Sequence, residues 1–130
     1  MNVPANLKYG KTDEWVKVDG NIATVGVSDY AQSQLSDVVY VDISTAVGDH
    51  VSKNDTIATI ESVKAAADVN SPVSGEVVEV NENLSQTPEK INDDPYGVAW
   101  MVKVKIENPA DLQSLLDAAG YQSYCEERGQ

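Results

Sequence analysis

Between Lys53 and Lys90 the chain carries one amine, Lys64, in the stretch Glu61-Ser62-Val63-Lys64-Ala65-Ala66-Ala67-Asp68. A lysine is a nucleophilic amine on a flexible four-carbon stem, and acylation removes its charge while lengthening its reach. Thr56 to Ile60 on one side reads as a strand. On the other side come Val69-Asn70, then Ser71-Pro72-Val73-Ser74-Gly75, then a second strand run from Glu76 to Val80. β-Branched runs bounded by Gly, Pro and Ser carry that reading. Lys64 is therefore expected at or near the tip of a hairpin, with no neighbouring ammonium to confuse a modifying enzyme. Ala65, Ala66 and Ala67 leave room for such an enzyme; a short helical patch is the alternative, since Ala is the best helix former.

No other group competes as a reactive centre. His50 is the only histidine and reads as a surface turn residue. Cys125 is the only cysteine, which excludes an internal disulfide and a multi-cysteine metal site. The carboxylates are spread too evenly to nominate a general acid–base pair. No Gly-rich phosphate loop occurs. No catalytic residue and no metal ligand is nominated.

The elements around Lys64 have to come from 130 residues, which suits one domain over residues 1–130. Hydrophobic residues make up 42% of the chain but Phe is absent, so Val, Ile and Leu must supply most of the core. Many of these are β-branched and favour strands. The net charge of −12 argues against a nucleic-acid partner, because phosphate binding needs Lys and Arg. No apolar run approaches the ~20 residues that span a bilayer. Met1 to Leu7 resembles neither a secretory signal nor an Arg-rich transit peptide, so a cytoplasmic location is expected; a monomer is expected as well. The mitochondrial matrix would follow if a transit peptide had been removed.

In chain order, Trp15 to Val18 reads as a strand, Asp19-Gly20 as a turn with both residues at positive φ, and Asn21 to Val27 as the return strand. Ser28 to Leu35 reads as a short helix capped by Ser28, with Asp29 at the positive end of its dipole. Val38 to Ile43 is a strand with Val39, Val41 and Ile43 on one face. Val47-Gly48-Asp49 is a turn. Residues 81–97 are irregular, with a helical turn from Pro88 to Ile91. Val98 to Ile106 reads as a long alternating strand. Asn108-Pro109 opens a helix that carries Leu112, Leu115, Leu116 and Ala119 on one face, with Gly120 as its C-terminal cap. Tyr121 to Glu127 forms one further short helix. Gly48-Asp49 and Gly75-Glu76 each precede a β-run, a weak echo of two similar halves folded against each other.

The combination of Val47-Gly48-Asp49-His50-Val51, Glu61-Ser62-Val63-Lys64-Ala65 and Ser71 to Val80 resembles the lipoyl/biotinyl carrier superfamily. Within it, Glu-Ser-Val-Lys-Ala is similar to the H protein of the glycine cleavage system. Tyr9 with Glu14-Trp15, Ile22 to Gly26 with Asp29 to Gln32, Asp94-Pro95-Tyr96-Gly97, Trp100 and the Leu-rich end extend the resemblance over nearly the whole chain. The resemblance implies a mainly β fold, a barrel-sandwich hybrid of two small antiparallel sheets with short helices, including a C-terminal one.

It also implies a non-catalytic carrier with lipoate on Lys64, and Glu61, Ser62, Val63 and Ala65 as the recognised turn. Such a carrier would take the aminomethyl group of glycine from glycine decarboxylase to a tetrahydrofolate-dependent aminomethyltransferase and be reoxidised by dihydrolipoyl dehydrogenase. A lipoate-attaching enzyme would be a fourth partner. Thr12, Glu14 and Asp68 would line a cleft that shelters the loaded arm; solvated acids are the alternative for Glu14 and Asp68. A lipoyl relay protein, a biotin carrier and an unmodified scaffold are the competing readings, and the absence of Met on both sides of Lys64 counts against biotin. Three positions depart from the family pattern. Asp13 stands where the family usually has His, Ser36 where Gly is common, and Ala67 where Ser or Thr is frequent. Asp13 would either add charge near the cleft or face solvent.

Overall fold

The computed structural model describes residues 1–128. Nine strands run β1 Lys8–Tyr9, β2 Glu14–Asp19, β3 Ile22–Val27, β4 Val38–Ile43, β5 His50–Val51, β6 Thr56–Ser62, β7 Ala66–Asn70, β8 Gly75–Val80 and β9 Val102–Ile106. Helix α1 is Asp29–Leu35, α2 is Lys90–Asp93 and α3 is Ala118–Glu127, with 3-10 turns at Glu82–Gln86 and Pro109–Ser114. The strands form two antiparallel sheets, one ordered β1-β2-β3-β9-β8-β5 and the other β4-β6-β7. The fold is mainly β, as expected, and the sheets face each other without closing into a barrel.

Aliphatic side chains fill the space between the sheets. Val16, Val25, Val77 and Val104 from the larger sheet meet Val41, Ile57, Ile60 and Val69 from the smaller one. Each is almost fully buried, and an aliphatic side chain of this size contributes about 1.5–3 kcal/mol. A second cluster outside the larger sheet is aromatic. Tyr9 stacks on Tyr121 with ring centroids 4.6 Å apart, and Leu7, Trp15, Tyr30 and Cys125 pack around them.

Local chemistry explains most of the elements. The β2–β3 hairpin pairs Asp19 with Ile22, so its turn residues are Gly20 and Asn21, one position later than expected. Only Gly20 takes a positive φ (+64°), the arrangement of a turn with Gly at its first central position. Ser28 caps α1 by accepting from the Ala31 N–H at 3.2 Å. Helix α1 ends at Ser36, at φ +64° and ψ −144°, a region that suits Gly far better than Ser. Asn92 holds that end: its Nδ2 donates to the Ser36 carbonyl and its Oδ1 accepts from the Val38 N–H.

Several sequence expectations are corrected. Val39 is exposed, not inward, because the register slips between Val38 and Tyr40 and a bulge leaves Val39 unpaired. The last strand begins at Val102. Trp100 precedes it in a turn, its N–H bonded to the Gly97 carbonyl, and Met101 is buried. The short helix after Pro88 is Lys90–Asp93. The helix expected from Asn108 to Ala119 is interrupted. Leu116 pairs with Tyr9 in a backbone bridge, Asp117 caps α3, and Gly120 lies in the first turn of α3 rather than past a helix end. The two echo segments pair with each other, His50 with Glu76 and Val51 with Gly75. Gly75 is required by space: a Cβ there would fall 1.9 Å from the Lys105 carbonyl oxygen on β9.

Candidate functional site

Lys64 lies at the tip of a hairpin, but the returning strand is β7, not the run from Glu76. Strands β6 and β7 pair from Thr56–Asn70 up to Glu61–Ala66. Ala66 and Ala67 are therefore strand residues, and the helical alternative does not hold. The Ser62 N–H donates to the Ala65 carbonyl at 2.8 Å, which leaves Val63 and Lys64 as the two central residues of the turn. Neither takes a positive φ.

The Ser62 hydroxyl organises this tip. Its oxygen accepts from the Lys64 N–H at 3.3 Å and the Ala65 N–H at 3.1 Å. Such side-chain bonds to neighbouring N–H groups fix the turn locally. The Val63 N–H donates to the Asp37 carbonyl at 3.0 Å and ties the tip to the start of β4. Val63, Lys64 and Ala65 are all exposed, and so is Glu61. Among the described residues the Lys64 ammonium enters no salt bridge. It is presented as an exposed amine.

Lower on the same hairpin a cavity of about 160 Å³ opens beside β7. Thr12, Glu14 and Asp68 all line it, so the three expected cleft residues are brought together. Its floor is apolar, made by Val27, Leu35, Ile60 and Val69. The sequence reading missed these floor residues. The signal present was that Ile60 and Val69 stand at inward positions of two paired strands.

Glu14 is only 2% exposed. Its Oε1 accepts from the Thr12 hydroxyl at 2.5 Å, and its Oε2 accepts from the Asn70 N–H at 3.2 Å. Burial raises its pKa above the usual carboxylate value; the bonds from Thr12 and Asn70 act in the opposite direction, and the charge of Asp13 adds to the rise. Asp68 is exposed, at the mouth, with the Thr59 hydroxyl 3.4 Å from its Oδ1. Thr12 and Glu14 also form a wall of a second cavity of about 250 Å³ that has Lys11 and Lys53 on its rim.

Asp13 also lines the cleft, so it does bring a carboxylate there, but that carboxylate is partly buried and paired. Arg128 pairs with it, Nη2 to Oδ1 at 2.6 Å and Nη1 to Oδ2 at 3.2 Å. The Tyr121 hydroxyl donates to its Oδ1 at 2.8 Å. His50 is an exposed strand residue bonded to Glu107 at 2.9 Å, and Cys125 is a buried free thiol. Among the described residues no cluster of His, Cys, Asp and Glu has the makings of a metal site.

Two sheets that present one free lysine on an exposed turn, above a cleft on the same hairpin, define a carrier of the swinging-arm class. Comparison with known proteins narrows this. Residues 7–128 match the family model described as glycine cleavage H-protein. The chain is 48% identical to the glycine cleavage system H protein of Carboxydothermus hydrogenoformans, over 98% of each chain. It is 52% identical to the mitochondrial glycine cleavage system H protein of Oryza sativa subsp. indica, over 93% of this chain and 73% of that one. A crystal structure of a glycine cleavage system H protein from Mycobacterium marinum superposes with a TM-score of 0.84 at 30% identity, covering 98% of this chain and all of that one.

The chain belongs to the glycine cleavage H-protein family. Members of that family are the lipoyl carrier shuttle of the system and not one of its catalytic enzymes. Both bacterial and mitochondrial relatives occur. Among the described residues no helix is long and apolar enough to cross a membrane.

Proposed function

We propose that Lys64 is the residue that carries the lipoyl group, and that residues 1–130 act as one carrier domain. The observation that carries this is the Lys64 turn: a free, exposed amine at the centre of a two-residue turn held by Ser62. The residues fit the group, because the amine is unpaired and only small or exposed side chains surround it. When bound, the lipoyl dithiolane supplies a two-electron acceptor whose opened form offers thiols for the aminomethyl group.

The chain presents and shelters that arm. Glu61, Ser62, Val63 and Ala65 give a lipoate-attaching enzyme a rigid shape to read. The apolar floor of the cleft takes the hydrocarbon part of the arm. Thr12, Glu14 and Asp68 supply oxygens at its polar end, and a carboxylate there holds a cationic amine by a charge-assisted hydrogen bond. Asp68 lies two residues along β7 from Ala66, about 7 Å at strand rise, so tip and cleft share one strand. The partners that follow are glycine decarboxylase, aminomethyltransferase and dihydrolipoyl dehydrogenase. They would be met in the bacterial cytoplasm or the mitochondrial matrix.

The test is peptide-resolved mass spectrometry of the protein purified from its own source, beside a Lys64→Arg variant. A lipoyl adduct on the Lys64 peptide is expected. Arg fits the turn without a positive φ, so the variant should keep its thermal midpoint, take up no lipoyl group and support no glycine cleavage. A biotinyl adduct, or a bare Lys64 in cells that lipoylate other proteins, overturns the proposal.

A further inference from the structure

We propose that Asp13 and Arg128 are positioning residues for the cleft, and that α3 acts through them to set where Glu14 stands. The inference rests on the cleft reading above, since it concerns the wall that Thr12 and Glu14 form. Asp13 lies between those two residues. It takes φ +80°, in the left-handed region that a residue other than Gly occupies at a cost. The reversal it makes is tight: the Asp13 N–H donates to the Gly10 carbonyl at 3.0 Å, and the Gly10 N–H to the Glu14 carbonyl at 2.8 Å. Asp tolerates this region better than most residues, and contacts from outside the loop add to its own two backbone bonds in holding it.

Those contacts come chiefly from the far end of the chain. Both Asp13 oxygens are engaged by the Arg128 fork, a paired geometry that adds direction as well as energy. The guanidinium is itself fixed, 4.3 Å from the Tyr30 ring centroid and 4.2 Å from that of Tyr124. Ser28 and Tyr121 share a hydroxyl–hydroxyl bond of 2.6 Å, and with Tyr121 donating to Asp13, Ser28 is the donor to Tyr121. The Ser28 N–H also donates to the Asp13 carbonyl at 2.9 Å. The Arg128 and Asp13 side chains are 29% and 20% exposed, so solvent screens this pair less than a pair on the open surface.

From there the connection continues through covalent and hydrogen bonds. Asp13 fixes the backbone that carries Glu14, and Glu14 Oε2 accepts from the Asn70 N–H on β7. Asn70 is two residues past Asp68, so both carboxylates of the cleft are placed relative to one another through this route. Asp13 lines the cleft too, but Arg128 pairs its carboxylate, so among the described residues Glu14 and Asp68 are the cleft acids without a cationic partner.

The test uses the unmodified full chain, so it does not depend on any group at Lys64. Amide hydrogen exchange is followed residue by residue in the wild type, Arg128→Gln, Asp13→Asn and the double variant. Arg128→Lys is the conservative replacement, and Leu84→Ala, a core truncation away from the cleft, is the control for general destabilisation. In Arg128→Gln the Ser28 and Asn70 amides should exchange at least about fivefold faster, with Val25 and Val104 within about twofold of wild type. Asp13→Asn should match it, the double variant should add nothing further, and Arg128→Lys should recover part of the protection. Unchanged exchange at Asn70 overturns the proposal. So does a uniform acceleration at all four amides of the kind Leu84→Ala gives, because that is loss of stability and not of position. A bare Lys64 in the mass-spectrometric experiment would defeat the lipoyl assignment and leave this measurement standing.

Discussion

At Glu14 two effects oppose each other. Burial favours the protonated acid, while the Thr12 hydroxyl and the Asn70 amide favour the anion, and the net direction is a raised pKa. A carboxyl whose folded pKa lies above its unfolded value binds its proton more tightly in the folded state. Its stabilisation is complete below the ordinary value of 4.5 and is lost as pH rises through the folded value. Glu14→Gln does not titrate, so the stability of the variant relative to wild type should improve as pH is raised from below 4.5 toward neutrality. Denaturant unfolding at a series of pH values reads this directly, and a difference independent of pH would show that Glu14 is not held against its ionisation. Lys64 stood out in the sequence by its flanks, whereas Thr12, Glu14 and Asp68, which line one cavity, were named only through the family resemblance. The partner of Asp13 was not visible there, since Arg128 is 115 positions away and no local rule connects them.

The β6–β7 hairpin is the element on which the carrier reading depends, and its tip is held by one side chain. Ser62→Ala removes the oxygen that accepts from the Lys64 and Ala65 N–H groups. In an exposed turn this should cost about 1 kcal/mol, within the usual range for a net hydrogen bond. It should also speed amide exchange at Lys64 and Ala65 and slow lipoyl attachment. An attachment rate equal to wild type would show that the enzyme reads the lysine without the shape of its turn. The tip was legible from its flanks, but β7 was not. Ala66 and Ala67 have poor strand propensity, and it is pairing with Ile60 and Glu61 that makes them a strand. The end of the chain misled for a similar reason. Leu112, Leu115 and Leu116 have helical spacing, yet the Tyr9–Leu116 bridge takes the backbone hydrogen bonds that a continuous helix would use. Helix α1 was legible because Ser28 is a purely local cap.

At the scale of the molecule the chain combines an aliphatic core between two sheets with an aromatic cluster that fastens α3 to β1 and β2. The absence of Phe pointed to the first of these. The second, built from Tyr and Trp brought together from both ends of the chain, had no sequence signature. Around both lies a surface with a net charge of −12. Among the described residues its Lys/Arg ion pairs are Lys103–Glu79 and Arg128–Asp13, and the first is the more exposed. Exposed pairs contribute little, whereas like charges confined to a small volume oppose the compact state. Unfolding spreads those charges apart. Salt shortens the screening length from roughly 30 Å at 0.01 M to roughly 10 Å at 0.1 M, which covers most neighbour separations on a chain this size. Raising salt across that range should therefore increase the thermal midpoint, and sodium and choline chlorides should act alike if screening is the cause. Arg128→Gln removes a cation and leaves Asp13 uncompensated, so its midpoint should start lower and rise further with salt. A midpoint that falls with salt would mean that the ion pairs outweigh the repulsion, and would make the Arg128–Asp13 pair a larger share of the stability than its partial burial implies.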